Sequence, residues 1–489
     1  MLHGLFISLE VFALVTKLQF LILFGTYIQM SDKPIQYTTD QQKAFEQFLL
    51  FLRAQSLRKL WILTGFAGTG KSTLIAHLVK QMHQEKLNFR LLAPTGRAAK
   101  VLSNYAGFSA STIHRHIYFS NGELSTQQLK LAKNLHKNTV FFIDEASMLS
   151  SASAFEANNL LEDLLNYVYN GENCHLVFIG DPGQLPPVGQ EDSIALHPKK
   201  MLLAYDSLTI WHSHLNEVVR IKAGSTILET VTQLRCMEHF MLPIFKNFSV
   251  QKQGNVHRIH GGEFQEFLEQ SIAEVGADES MLLTLSNKRA NQWNLQIRNR
   301  LFYREEIFEK GDVLMVVKNN YHWLDPSSKM GFIANGEIAR IERVRKFEAC
   351  YGFEFALLDL SFVDYPEQGT LSCLVHVQSL LEEGPNLPRE VLKKLFYNIE
   401  AEHWDIKNKQ KRYREVIKSP YFNALQVKYA HAVTVHKAQG GQWAHVYVDY
   451  GYLPQDRRDQ SYLRWLYTAL TRASEQLYLL NFPEEFFEN

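Results

Sequence analysis

Residues 65–72 read GFAGTGKS, and this stretch decides the fold of the surrounding chain. It matches the pattern GxxxxGK[ST] in full, a loop whose glycines let backbone N–H groups turn inward around phosphate oxygens. A short apolar run at residues 60–64 precedes the loop, and apolar residues at helical spacing follow it. Strand, loop and helix in this order are the context that such a loop requires, so we predict an α/β P-loop NTPase domain.

The residue types within the loop fit nucleotide chemistry. Lys71 is expected to neutralise β and γ phosphate oxygens, and Ser72 is expected to ligate magnesium. The helix that begins here adds a favourable dipole for an anion. We therefore predict ATP and Mg²⁺ as cofactors. The predicted nucleotide-binding residues of this stretch are Gly65, Gly68, Thr69, Gly70, Lys71, Ser72 and Thr73.

Two further apolar runs end in polar residues suited to hydrolysis. Residues 140–143 are followed by Asp144, predicted to hold magnesium through water, and Glu145, predicted to orient and deprotonate the attacking water. Residues 176–179 are followed by GDPGQLPP at 180–187, in which Gln184 is placed to bond both the γ phosphate and that water. A tight turn explains Asp181 equally well, so two roles for Asp181 stay open.

The pattern of apolar and polar residues changes after about residue 300. Short β-like runs at 313–317 and 354–360, with a turn at 335–336, predict a small β module inserted in a second α/β domain. Residues 389–418 have a helical pattern that ends in basic residues interleaved with Tyr413. A solvated helix face and a DNA contact both explain this run, whose basic residues are Lys407, Lys409, Lys411, Arg412 and Arg414.

The amino-acid composition limits the number of domains, the kind of nucleic-acid contact and the state of the cysteines. The 489 residues are 46% hydrophobic, enough for more than one core, because single cores rarely exceed about 250 to 300 residues. Lys and Arg total 51 and Asp and Glu total 51, so any nucleic-acid contact must come from a local groove. The four cysteines lack metal-ligand spacing, which predicts reduced thiols in a cytoplasmic protein without structural zinc.

The first 29 residues form a separate feature. The run at 11–28 is largely apolar but is interrupted by Lys17 and Gln19, and it lacks the layout of a secretory signal. Met30 opens an ordinary polar beginning. We favour an over-extended start site, and membrane association through residues 1–29 stays open.

The order of motifs resembles that of superfamily 1 DNA helicases of the RecD-like and Dda-like group. The resemblance spans residues 38–473. Beside the stretches already quoted, it rests on TTDQ at 38–41, APTGRAA at 93–99, STIHR at 111–115, DEAS at 144–147, LNEVVR at 215–220, YAHAVTVHKAQG at 429–440 and YTALTRA at 467–473.

This resemblance implies a function and the residues for it. The implied enzyme moves 5′ to 3′ on single-stranded DNA and unwinds tailed duplex DNA as a monomer, in replication, recombination or repair. Gln41 would read adenine, and Arg220 and Arg472 would reach the γ phosphate. The implied DNA contacts are Thr95, His114, Thr434 and His436.

The resemblance also implies the domain plan. We expect two RecA-like domains with parallel sheets, one at 30–215 with a hairpin insertion at about 117–138. The other comprises 216–298 and 426–489, interrupted by an SH3-like module at 299–425.

Two other function classes are weighed. One is a P-loop ATPase that remodels protein partners without unwinding; the arginine motifs in a second domain of the same chain argue against it. The other is an RNA helicase, or a translocase that does not unwind. It stays open because backbone contacts to a single strand tolerate either sugar.

Overall fold

The computed structural model describes residues 37–119, 130–150, 159–187, 189–218, 226–236, 245, 248, 254–325, 328, 330–454 and 457–487. The apolar residues 1–29 and the candidate Arg220 lie outside this part of the chain. Within it, no helix combines the length and the apolar character needed to cross a bilayer.

The described residues between 37 and 215 contain a six-stranded parallel sheet and its helices. Its elements are α1 (Thr39–Arg53), β1 (Lys59–Gly65), α2 (Lys71–Gln84), β2 (Asn88–Ala93), α3 (Gly96–Ala106), β3 (Ala110–Thr112), α4 (Ile113–Ile117), β4 (Tyr118–Phe119), β5 (Lys130–Leu131), β6 (Thr139–Ile143), α5 (Leu160–Tyr169), β7 (His175–Gly180), α6 (Pro198–Ala204) and β8 (Thr209–Leu215). The strand order is β3-β2-β6-β7-β1-β8. β1, β6 and β7 are buried along their whole length, as expected for a parallel sheet covered on both faces.

The remaining elements build two more sheets. They are α7 (Thr226–Cys236), β9 (Val256–Ile259), α8 (Phe264–Val275), β10 (Ser280–Thr284), α9 (Asn287–Arg300), β11 (Val313–Val316), β12 (Ile338–Cys350), β13 (Phe353–Phe362), β14 (Thr370–His376), α10 (Gln378–Leu381), α11 (Arg389–Glu402), α12 (Lys409–Lys418), β15 (Val427–Tyr429), β16 (Ala432–Thr434), α13 (Val435–Ala438), β17 (Trp443–Asp449), α14 (Gln460–Leu470) and β18 (Ala473–Leu480).

Five of these strands form the second parallel sheet, in the order β16-β10-β17-β18-β9. The chain leaves this sheet after β10 and returns to it at β16. Two parallel sheets in one chain confirm the predicted α/β fold class.

The intervening residues form a five-stranded antiparallel sheet in the order β14-β13-β12-β11-β15. Its last strand, Val427–Tyr429, lies beyond the predicted boundary at residue 425. A β module therefore interrupts the second parallel sheet, and its SH3-like character stays a prediction.

A small antiparallel pair, β4 with β5, lies inside the range predicted for a hairpin insertion. Tyr118 is opposite Leu131, and the hairpin is rooted directly after α4. Residues 120–129, which include any tip, lie outside the described residues.

The antiparallel sheet also contacts the first sheet. Glu337, which precedes β12, lies against Gly96 at the start of α3, where a Cβ added to the glycine would be 2.1 Å from Glu337 Oε1. Lys100 and Asp364 form an ion pair of 2.9 Å nearby. Glu337 is only 3% exposed, and burial raises its pKa to about 8.

Candidate active site

The loop at residues 65–70 is shaped by glycine. Gly68 and Gly70 have φ of +81° and +79°, in the left-handed region that glycine adopts at no steric cost. A Cβ at Gly65 would lie 2.7 Å from Thr69 Oγ1, closer than a real side chain could approach. The loop therefore wraps back on itself, and α2 begins directly behind it, which is the geometry of an anion cradle.

The side chain of Lys71 bonds back to the loop. Its Nζ donates to the carbonyl oxygens of Gly65, at 2.7 Å, and Phe66, at 2.9 Å. The Thr69 hydroxyl also donates to the Phe66 carbonyl, at 2.8 Å. Ser72 and Thr73 occupy the exposed first turn of α2. An ammonium and two hydroxyls thus surround the positions where the loop would receive phosphate.

Gln41 connects α1 to the loop. Its side chain is only 3% exposed, and Nε2 donates to the carbonyls of Thr69 and Gly70 at 3.3 and 3.5 Å. Its Oε1 accepts from the Thr38 N–H at 3.1 Å, which completes a capping box at the start of α1. The amide is therefore positioned beside the cradle, and its reading of adenine stays a prediction.

Asp144 and Ser72, the two predicted magnesium ligands, meet at one tyrosine. The Tyr105 hydroxyl donates to Asp144 Oδ2 at 2.5 Å and also hydrogen-bonds the Ser72 hydroxyl. The backbone N–H of Glu145 donates to Asp144 Oδ1 at 2.9 Å. Burial raises the pKa of Asp144, and the Tyr105 hydrogen bond acts in the opposite direction.

These groups suit a Mg²⁺ ion that also binds phosphate and water. They do not suit a metal ion held by protein ligands alone. Within the described residues there is no cluster of three or more His, Cys, Asp or Glu that could hold a metal. One hydroxyl and one carboxylate beside a phosphate cradle suit Mg²⁺, which keeps several waters and is commonly held by substrate phosphates. Nothing in the sequence had pointed to Tyr105 as a member of this site.

Glu145 has the features of a general base. Its backbone lies in the left-handed region with φ of +50°, a conformation that is costly for a residue with a side chain. Burial raises its pKa to about 7; Arg472 opposes this shift and Asp144 adds to it. A carboxyl group with a pKa near the working pH is well matched to accepting a proton from water.

Arg472 lies in the turn between α14 and β18 of the second lobe and faces Glu145. Its Nη1 lies 4.0 Å from Glu145 Oε1, and the residue is 3% exposed. The guanidinium donates to the carbonyls of Thr468 and Gly441 and to the hydroxyl of Thr471, at 3.1, 3.0 and 3.0 Å. These three bonds fix a planar cation at the boundary between the two sheets.

Tyr467 ties the same boundary to the nucleotide loop. Its hydroxyl donates to Asp181 Oδ2 at 2.7 Å and accepts from the Ala67 N–H at 2.9 Å. The other Asp181 oxygen accepts from the Gly183 N–H at 2.9 Å, so the turn role of Asp181 is also present. The YTALTRA motif contained this signal, but sequence reasoning used only its arginine.

The segment after β7 is held by the second sheet. The Leu185 N–H donates to the Thr468 hydroxyl at 2.9 Å, and the Leu185 carbonyl accepts from Gln439 Nε2 at 2.7 Å. Gln184 is 7% exposed, and its Oε1 is buried without a hydrogen-bond partner among the described residues. A buried amide oxygen without a partner is able to accept a hydrogen bond from a water or another donor.

The four candidate DNA contacts divide into two groups. Thr95 caps α3 and lies beside motif 429–440, since a Cβ at Gly440 would be 3.3 Å from its Oγ1. Thr434 and His436 belong to that same motif, at and after the end of β16. His114 instead packs near Tyr118 within the first sheet's domain, and burial lowers its pKa to about 4.

One contact between these motifs was not foreseen. Arg97 follows Thr95 in sequence and stacks on the ring of Trp443 at 4.1 Å from its centroid. Its Nη2 donates to the Gln442 carbonyl at 2.6 Å. The two sheets are therefore in contact at this position as well as at the nucleotide loop.

Comparison with known proteins agrees with this geometry. A family model described as an AAA domain matches residues 36–256, and one described as a UvrD-like helicase C-terminal domain matches residues 429–480. An uncharacterized protein of Acanthamoeba polyphaga mimivirus, R530, is 25% identical over 90% of this chain and 99% of its own length.

Named relatives match more locally. The ATP-dependent DNA helicase dda of Enterobacteria phage T4 is 26% identical over 62% of this chain and 67% of its own. The ATP-dependent RecD2 DNA helicase of Deinococcus radiodurans is 34% identical over 27% of this chain, which spans only 16% of that enzyme. A solved structure of two Pif1 helicases at forked double-stranded DNA covers 93% of this chain and 95% of its own, at 13% identity and a TM-score of 0.47.

A phosphate cradle on one parallel sheet, faced by an arginine that another parallel sheet presents, makes this protein a two-lobed P-loop NTPase. The two family models and the named helicase relatives support a likeness to superfamily 1 helicases of the Pif1 and RecD-like group. The resemblance inferred from the order of motifs is thereby confirmed.

Proposed function

We propose that this chain is an ATP-driven DNA helicase that moves 5′ to 3′ along single-stranded DNA and unwinds tailed duplex. The observation that carries the proposal is the position of Arg472, whose Nη1 lies 4.0 Å from Glu145 Oε1 across the boundary between the two sheets. Hydrolysis at such a site depends on the arrangement of two lobes, and this dependence is what a translocating motor requires.

The chemical step uses groups from both lobes. Lys71 supplies an ammonium at the phosphate cradle, Glu145 accepts the proton of the attacking water, and Gln184 Oε1 accepts a hydrogen bond from the same water. Arg472 stabilises the charge that accumulates on the transferred phosphoryl group. Ser72 and Asp144 would hold Mg²⁺, which would supply further neutralisation of phosphate charge.

The proposed motion follows from the same contacts. Arg472 and Tyr467 approach the nucleotide loop from the second lobe, so loss of the γ phosphate weakens the attraction between the lobes. Thr95 on the first lobe and Thr434 on the second are the proposed alternating contacts with the DNA backbone, joined by His114 and His436. Opening and closing then become steps along the strand.

The three sheets support a division into a first lobe at 30–215 and a second at 216–298 and 430–489, with the β module between them. Both walls of the ATP site belong to one chain, so we propose that a monomer is sufficient. Specific activity should then stay constant as the protein is diluted.

The deciding experiment compares unwinding of one duplex carrying a 5′ DNA tail, a 3′ DNA tail or a 5′ RNA tail. We expect ATP-dependent unwinding from the 5′ DNA tail. Lys71→Ala should abolish it, while Lys80→Ala, an exposed lysine on the same helix, should not. Unwinding only from the 3′ tail would reject the direction, and unwinding only from the RNA tail would reassign the substrate.

A further inference from the structure

The helical hairpin at residues 389–418 is an elaboration that the ATP site does not use. It comprises α11 and α12, which pack together on the antiparallel sheet through Leu395, Ile399 and Val416. Its inner face thus has a structural role. Its outer face is unusual in both charge and aromatic content.

The outer face carries unpaired positive charge. The hairpin holds nine basic and five acidic residues, in a chain whose total charge is zero. Glu400 is paired with Arg412, Glu402 accepts from the Tyr351 hydroxyl, and Glu415 faces Lys418. In contrast, seven exposed cations of the hairpin form no ion pair with a carboxylate among the described residues: Arg389, Lys393, Lys394, Lys407, Lys409, Lys411 and Arg414. The last four lie close together in sequence, at residues 407–414.

The hairpin also carries exposed aromatic rings. Trp404 is 72% exposed, Tyr397 is 64% exposed and Tyr413 is 39% exposed. They are half of the six aromatic side chains that are exposed in the described part of the chain. A solvated helix face explains the lysines but gives no reason to leave three large rings in water.

Two of the rings contact Phe396, and the third contacts Arg412. Phe396 lies between two of the rings, with its centroid 5.7 Å from Tyr397 and 5.2 Å from Tyr413. Arg412 covers one face of Trp404 at 4.5 Å and so fixes the orientation of this ring. Because Trp404 is still largely exposed, its other face is open to a stacking partner.

We propose that the outer face of the helical hairpin is a second binding surface for single-stranded nucleic acid, separate from the contacts between the lobes. Unpaired lysines and an arginine match the charge of a phosphate backbone, and open rings match the flat faces of unpaired bases. A duplex would use the charge but has no free bases for Trp404, Tyr397 and Tyr413, so the rings favour a single strand.

The test compares the full chain with a variant that neutralises the surface, Lys407→Gln/Lys409→Gln/Lys411→Gln/Arg414→Gln. The matched control neutralises four exposed lysines elsewhere, Lys43→Gln/Lys80→Gln/Lys86→Gln/Lys199→Gln. Affinity is measured by fluorescence anisotropy over a salt series with oligothymidine of about 10 and about 40 nucleotides and with a blunt duplex.

We expect the surface variant to bind the long oligothymidine at least about tenfold more weakly than the wild type at low salt. The slope of log affinity against log salt should fall by about 2 to 3, because each phosphate contact on a single strand contributes about 0.7. Binding of the short strand, and hydrolysis of ATP stimulated by it, should be unchanged. Trp404→Ala alone should weaken long-strand binding about tenfold with little change in slope, whereas Trp404→Phe should retain most of it.

Three results would overturn the proposal: unchanged affinity of the surface variant for the long strand, an equal loss in the control variant, or a loss confined to the duplex. In the last case the surface would bind double-stranded DNA. The proposal is separable from the helicase function, because binding of the long strand can be lost while stimulated hydrolysis persists, and the reverse result would reject the motor but keep the surface.

Discussion

Tyr467 in the second lobe donates a hydrogen bond of 2.7 Å to Asp181 in the first, and its oxygen also accepts from the Ala67 N–H of the nucleotide loop. One phenol thus connects the loop predicted to bind phosphate to the turn that carries Gln184. Burial raises its pKa well above the ordinary value, so it remains a neutral donor and acceptor.

Tyr467→Phe removes this connection without altering the packing of the ring. We expect DNA-stimulated turnover to fall roughly tenfold, the order expected for one hydrogen bond to a charged group, with a smaller change in KM for ATP. Tyr462→Phe is the matched control, because Tyr462 lies on the same helix and its buried hydroxyl has no partner in the described residues. An equal fall in both variants would indicate that only the helix, and not the bond, matters.

The pKa of Glu145, raised to about 7 by burial, predicts how hydrolysis depends on pH. The carboxylate is the form that accepts a proton, so turnover should rise with pH through about 7 and level off above it. Glu145→Gln should lose most activity and this rising limb. Steady-state turnover from pH 5.5 to 9 checks this, and a rate that is independent of pH below 7 would exclude Glu145 as the base.

Arg472→Lys keeps the positive charge but cannot reproduce the planar set of three hydrogen bonds. We expect the rate of hydrolysis to fall about 100-fold or more, because a misplaced cation no longer stabilises the negative charge that develops on the phosphoryl group. ATP affinity should change little. Single-turnover hydrolysis and equilibrium binding separate the two effects, and Arg458→Lys, paired with Glu485 away from the site, serves as the control.

Glu337 predicts a pH dependence of stability. Burial raises its pKa to about 8, with Asp364 acting in the same direction and Lys100 opposing it. The folded state therefore holds the proton more tightly, so its contribution is present below about pH 4.5 and is lost as the pH rises to 8.

Glu337→Gln should remove this loss and leave the variant more stable than the wild type at pH 9, by an amount on the order of a few kcal/mol. Urea unfolding at pH 6 and pH 9 measures it. Glu367→Gln, at an exposed position next to the same sheet, should show no such gain. A variant that is less stable than the wild type at both values would contradict the assigned protonation.

The sequence predicted the first lobe in detail because its signals are local. The order of strand, loop and helix around residues 65–72 fixes the cradle, and the run before Asp144 fixes a buried strand whose carboxyl end meets that cradle. The two parallel sheets and the resemblance to helicases are confirmed. The roles of individual site residues, including Arg472, stay predictions that the geometry supports.

The missing pieces are contacts between residues distant in sequence. Tyr105 reaches Asp144 from the end of α3, and no spacing rule links a tyrosine there to a carboxylate 39 positions later. Arg97 of the first lobe stacks on Trp443 of the second lobe, and the periodicity of a local segment cannot reveal such a contact. The β module extends to residue 429, beyond the predicted boundary at 425, because its final strand, Val427–Tyr429, pairs with β11. This pairing is determined only in the folded sheet.

The backbone of Leu185 helps to hold the two lobes together. Its N–H and its carbonyl are both satisfied by side chains of the other lobe, Thr468 and Gln439. Separation of the lobes therefore has to hydrate both groups and expose an apolar side chain that packs in the second lobe's core. Separation of the lobes is therefore energetically unfavourable at this position, and we expect a change at Leu185 to alter the rate of any step that requires the lobes to separate.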